Sequence, residues 1–137
     1  MKKIVTLLLA MIMIFTATAA LAADIKVTVN GEEIAFDRQP LLDGETVMIP
    51  FRFVAEKLGA TVNWDGETKT VFASYGDTLT TLQIGNNKLF TNSEETLLEK
   101  APILTIDRTL VESAVIEKCL GAKVVWDKEN SLVTIEK

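Results

Sequence analysis

Leu58-Gly59-Ala60-Thr61-Val62-Asn63-Trp64-Asp65 returns sixty-two positions later as Leu120-Gly121-Ala122-Lys123-Val124-Val125-Trp126-Asp127, with six of the eight positions identical. Pro40 and Pro102 stand at the same offset, so the recurring unit extends beyond this octapeptide. A repeat at a fixed period decides architecture before any single residue is interpreted. Each copy reads as the end of a helix at leucine, a glycine suited to left-handed backbone, and a strand closing on Trp-Asp.

Just before the first copy, residues 46–49 form a short strand leading into Pro50, whose missing N–H suits a helix start. Phe51, Val54 and Leu58 then share a helical face that ends at Gly59. Upstream, Ile25, Val27 and Val29 alternate with polar residues as a half-buried strand. Asn30-Gly31 supplies the turn of a hairpin, and Ile34 and Phe36 continue on the returning strand. Residues 37–44, containing Pro40, read as a loop. Downstream, residues 61–64, 70–74, 78–84 and 88–91 alternate with polar turns. The acidic stretch 92–100 reads as a connection with a short strand at 96–98. In the second half, residues 103–106 are extended, 110–120 read as one helix stopped by Gly121, and 123–126 with 132–136 close a hairpin. The expected fold is therefore α+β, with antiparallel strands curved around two helices. Two degenerate strand–helix–hairpin repeats, at about residues 25–74 and 78–137, share one core because neither half has enough apolar surface to stand alone.

The first residues have the three parts of an export signal. Lys2 and Lys3 precede an apolar stretch over residues 4–15, and Ala20-Leu21-Ala22 places small residues for cleavage after Ala22. Residues 1–22 are accordingly read as a signal peptide and 23–137 as the mature domain, secreted or associated with the cell envelope. The membrane enters only through the signal segment if it stays uncleaved. Without Lys2 and Lys3, 12 basic residues face 19 acidic ones, a net charge of −7. That balance repels phosphate backbones and argues against nucleic acid as a partner. Cys119 is the single cysteine, so no disulfide can form within the chain. It is expected as a small, half-buried helical residue, with pairing between molecules as the sharper alternative.

At this point the residues carry a resemblance. The run Ile49-Pro50-Phe51-Arg52-Phe53-Val54-Ala55-Glu56-Lys57-Leu58-Gly59-Ala60, followed by Val62, Trp64-Asp65 and Val71, resembles the copper amine oxidase N-terminal-like domain. This is the stalk domain common in exported proteins of Gram-positive bacteria. Val27-Thr28-Val29-Asn30-Gly31 and the Pro40 loop are similar to the same family. The second unit departs from the pattern, with Glu112, Ser113, Ala114 and Lys118 where the first has Pro50, Phe51, Arg52 and Glu56. The resemblance implies an appended, non-catalytic domain rather than an oxidase centre. The residues agree: the chain has no histidine for an imidazole copper site. Its one tyrosine, Tyr75, lies between Ser74 and Gly76, outside the Asn-Tyr-Asp/Glu setting of the quinone cofactor. No cofactor and no enzymatic activity are expected.

Four residues are candidates for contact with a ligand or partner. Trp64 and Trp126 could stack on a sugar ring, although strand alternation places them with Val62 and Val124 on faces expected to pack inward. Arg52 and Glu56, spaced i, i+4, share a helix face, where Arg52 could anchor a carboxylate or form an ion pair with Glu56. The polar turns at Asp65 and Asp127 lack the spacing of a calcium loop. The serines show no triad or elbow signature. The expected function is a non-catalytic exported stalk or interaction domain at the cell envelope, mediating spacing or protein docking. The alternative is a carbohydrate-binding module for cell-wall or extracellular polysaccharide. The partner is correspondingly an envelope protein or wall glycan.

Overall fold

The structure, a computed structural model, describes residues 24–137; the expected signal segment lies outside them. In chain order the elements are β1 (Lys26–Val29), β2 (Glu32–Glu33), β3 (Leu41–Asp43), β4 (Thr46–Pro50), α1 (Phe51–Lys57), β5 (Thr61–Asp65), β6 (Thr70–Tyr75) and β7 (Thr78–Gln83). They continue with β8 (Lys88–Thr91), β9 (Glu94–Leu97), β10 (Ile103–Thr105), β11 (Arg108–Glu112), α2 (Ala114–Leu120), β12 (Lys123–Asp127) and β13 (Leu132–Glu136).

This is a mostly-β fold of three sheets, which corrects the expected α+β arrangement of antiparallel strands around two helices. The helices have 7 residues each. At 1.5 Å per residue each spans only about 10 Å, too short to form a layer that sheets could wrap. The sheets instead supply the frame: β12-β13-β1-β2, β10-β11-β4-β3 and β5-β6-β7-β8-β9. Nor is every pairing antiparallel, because β1 runs parallel to β13, from Lys26 opposite Leu132 to Val29 opposite Ile135.

Residues 110–112, expected at the start of the second helix, belong to β11. Leu110, Val111 and Glu112 are all buried, because β11 lies between β10 and β4 in the middle of its sheet. An unbroken buried run is how such a central strand reads, and local periodicity cannot separate it from a helix. Residues 41–43, expected as loop, pair with β4 from Leu41 opposite Met48 to Asp43 opposite Thr46. The hairpin return after Gly31 is shorter than expected: β2 has two residues, and Ile34 N–H still donates to the Val27 carbonyl at 2.9 Å.

The sixty-two-residue spacing also relates elements in space. It separates β3 from β10, β4 from β11, β5 from β12 and β6 from β13. In the β4–β11 ladder Ile49 stands opposite Val111, its own counterpart at that spacing, so a local two-fold axis passes between them. The two sheets that hold the β5–β6 and β12–β13 hairpins differ in how they continue. β13 pairs directly with β1, whereas β7 stands between β6 and β8. The core includes Val27, Ile49, Phe51, Val54, Val111, Val115, Ile116, Val133 and Ile135, each at most 1% exposed. These come from α1, α2 and all but the five-stranded sheet, which contributes Val62, Val71, Ala73, Leu82 and Leu89.

Candidate functional site

Val62 and Trp64 do share a face of β5, but their surroundings differ. Val62 is 7% exposed while Trp64 is 40% exposed, against the expectation of inward packing. β5 is an edge strand, and Trp64 sits one residue from its end, where the strand runs past the core. Its ring borders a cleft of about 500 Å³ between the start of α1, the turn end of the β5–β6 hairpin and the β10–β11 turn. Phe51, Val62 and Val71 form an apolar floor, and Arg52, Leu104 and Arg108 stand at the rim.

The two arginines differ in how they are held. Arg108 donates through Nε to Asp37 Oδ1 at 3.1 Å and through Nη2 to Asp37 Oδ2 at 2.6 Å. Its Nη1 donates to the Asp107 carbonyl at 3.1 Å. The guanidinium also lies 5.8 Å from the centre of the Phe53 ring, within cation–π range, and Phe53 meets Phe36 edge-on at 5.7 Å. The Arg108 hydrogen bonds hold the Asp37 carboxyl below its ordinary value of 3.8, and Asp37 raises Arg108 in turn. Arg52 is looser. Its Nη1 lies 3.9 Å from Glu56 Oε2 with both side chains half exposed, beyond hydrogen-bond distance. The i, i+4 geometry is therefore present, but the Arg52 guanidinium keeps donors available at the mouth of the cleft.

Of the four residues singled out from sequence, Arg52 and Trp64 line one cleft and Glu56 stands beside it as the partner of Arg52. Trp126 is elsewhere. It is half-buried against the core from β12 and faces two shallow hollows, one with Glu45 and Glu112, the other with Pro40 and Ile25. The two tryptophans therefore do not form a joint platform. Phe53, Leu104, Asp37 and Arg108 escaped sequence reasoning, since the Asp37–Arg108 pair spans 71 positions and leaves no local signal.

Three other carboxylates are engaged by backbone N–H groups. Asp65 Oδ1 accepts the Glu67 N–H at 3.0 Å. Asp127 accepts the Asn130 N–H at 3.2 Å and its side-chain amide at 2.7 Å, which lowers its carboxyl. Both aspartates thus close hairpin turns by a local side-chain bond. Glu112, 5% exposed, accepts the backbone N–H groups of Glu99 at 3.3 Å and Lys100 at 3.2 Å, fastening that segment to β11. Cys119 is 4% exposed on α2. Burial pushes its thiol up to about 11, the state of an inert structural cysteine.

A cleft with an apolar floor, an indole wall and an arginine rim is suited to holding a side chain or a ring, and it presents no paired nucleophile and base. No helix among the described residues is long and apolar enough to cross a membrane. A protein of Brevibacillus choshinensis named "Protease inhibitor" is 29% identical over 113 residues, 81% of this chain. The chain spans only 34% of that relative's length. Residues 28–135, nearly the whole described chain, match the copper amine oxidase N-terminal domain, a non-catalytic domain. The resemblance carried by residues 49–60 thus extends from β1 to β13, and the chain belongs to the copper amine oxidase N-terminal domain family.

Proposed function

We propose that this chain is an exported module of the cell envelope that acts by spacing and by docking a protein partner, with the contact made in the cleft beside Trp64 and Arg52. One observation carries the docking site: Trp64 stands 40% exposed over an apolar floor instead of filling the core. Tryptophan and arginine dominate the energetics of protein interfaces, because each covers a large area and can satisfy a partner's polar groups. Arg108, held by Asp37 and stacked near Phe53, keeps the rim in place without spending the donors of Arg52. Docking also agrees with the name of the Brevibacillus relative, which belongs to a chain of which this domain matches a third. The apolar leader over residues 4–15 and the Ala20-Leu21-Ala22 site support export.

The test is retention of partners from envelope extract on the immobilised protein, repeated with Trp64→Ala and Arg52→Ala. A protein bound by the parent and released by both substitutions is expected. Equal retention by all three would remove the cleft from the account. If the retained protein is a protease, its residual activity in the complex decides whether docking inhibits it.

The exposure of Trp64 also favours a second reading, stacking on a sugar ring. A Trp126→Phe variant leaves Trp64 as the single indole, so its emission reports the cleft alone. A shift on adding wall glycan, together with release from purified wall by free oligosaccharide, would transfer the site to carbohydrate.

A further inference from the structure

The parallel pairing of β1 with β13 makes the two ends of the domain one mechanical unit. β1 begins at Lys26 beside Leu132, and β13 ends just past Ile135 beside Val29. The chain therefore enters at one end of the pair and leaves at the other. Tension applied between Asp24 and Lys137 pulls β1 toward its own start and β13 toward its own end. The strands are then loaded along their length, in opposite directions. We infer that the β1–β13 pair is a shear clamp that lets the domain bear tension along the chain, a further function that rests on the spacing part of the proposed role.

The geometry of the pair supports this. Four consecutive residues of each strand are in register. The bonds at the margins are intact: Lys26 N–H donates to the Ser131 carbonyl at 2.9 Å and Asn30 N–H to the Ile135 carbonyl at 2.8 Å. Beyond the last of them, Lys137 N–H donates to Asn30 Oδ1 at 2.9 Å. Parallel bonds are evenly spaced, so under shear they share the load and must fail together. Perpendicular force would break them one after another. Val27 and Val133 are fully buried and Val29 is 2% exposed, so water cannot replace the bonds before the strands slide. Both strands also have an outer neighbour, β2 on one side and β12 on the other. The five-stranded sheet has no such role, since neither end of the described chain leaves from it.

The test is force spectroscopy on the full chain with handles at its two ends, compared with a peeling geometry. For the latter, one handle is attached through Glu32→Cys and the other at the C-terminus. Both points then lie at the same end of the pair, and force strips β13 from β1 bond by bond. Forced unfolding is governed by the barrier that the loading direction meets, so the end-to-end unfolding force is expected to exceed the peeling force at least about threefold. Lys26→Pro removes one load-bearing donor at a strand's first residue, where proline is tolerated. It should lower the end-to-end force and leave the peeling force unchanged. Equal forces in the two geometries, or an end-to-end force indifferent to Lys26→Pro, would overturn the clamp. Trp64→Ala should leave both forces unchanged, so a failed docking assay and a failed clamp are separable.

Discussion

Alanine substitution at Gly59 and at Gly121 tests whether backbone conformation alone explains the two glycines that end the helices. They occupy equivalent places after α1 and α2 but not the same conformation: Gly121 has φ +68°, Gly59 φ +103°. Left-handed backbone lies near φ +50 to +70° for a residue with a Cβ, so alanine fits the angle at 121 at a cost of about 1–2 kcal/mol. At 59 it falls outside that region, and the strain rises to about 2–3 kcal/mol. Space does not decide between the sites. A Cβ at 59 would meet Tyr75 Cε1 at 3.7 Å, and one at 121 would meet Lys137 Nζ at 3.7 Å, both ordinary contacts. The lost freedom of the unfolded chain is common to both substitutions and cancels. Urea unfolding followed by tryptophan emission should place the Gly59→Ala midpoint below that of Gly121→Ala by roughly 0.5 M, for a slope of about 2 kcal/mol per molar. Asparagine, which tolerates left-handed backbone, should recover part of the loss at 121 and little at 59. Equal midpoints for the two alanine variants would rule out backbone conformation as the source of the cost, since only φ separates the sites.

Cys119 should react with a thiol reagent at pH 8 only as fast as the domain opens. In alkali its proton is retained by the folded state after the unfolded state has lost it, so stability present below pH 9 falls as pH rises through about 11. The loss should reach about 2–3 kcal/mol, and a flatter pH profile in Cys119→Ala would confirm its source. Glu112→Ala strands two backbone donors and should cost about 2–3 kcal/mol, with faster amide exchange at Glu99 and Lys100; unchanged exchange at both would show that the carboxylate does not hold the segment. The Asp37 carboxyl should titrate below 3.8 by NMR and return to the ordinary range in Arg108→Ala. Because its folded value is lowered, its contribution is present above pH 3.8 and disappears as pH falls through that lower value.

Local pattern made much of the strand order legible. The alternation of Val27, Val29, Val62 and Val71 identifies half-buried strands wherever one face is wet. It fails where both faces are covered. Leu110 and Val111 join with Val115, Ile116 and Cys119 into what looks like a single apolar helix, yet the first two are strand residues. The recurrence itself held the remedy: sixty-two positions earlier stand Met48 and Ile49, in a stretch read as strand. β3 follows Pro40 in a polar stretch, and Leu41-Leu42-Asp43 shows no alternation to mark it as a strand. For Trp64 the face was right and the cover was absent, as alternation assigns a side but cannot say how far a neighbouring element reaches. The Asp37–Arg108 pair and the β1–β13 ladder join distant residues, so the rim of the cleft and the closure of the sheet had no local signature at all.

That closure also sets the order in which the chain can fold. Asn30 is bonded to a residue 107 positions away, and β1 has in its own half only the two-residue β2 for a neighbour. A chain emerging from its N-terminus can therefore form α1 and the β5–β7 meander early, but its first strand must wait for the last one to be made. Structure rich in such distant pairings folds slowly. The domain completes itself only when β13 has been made, and a truncation that removes Leu132–Ile135 leaves the first strand without the partner that seals it.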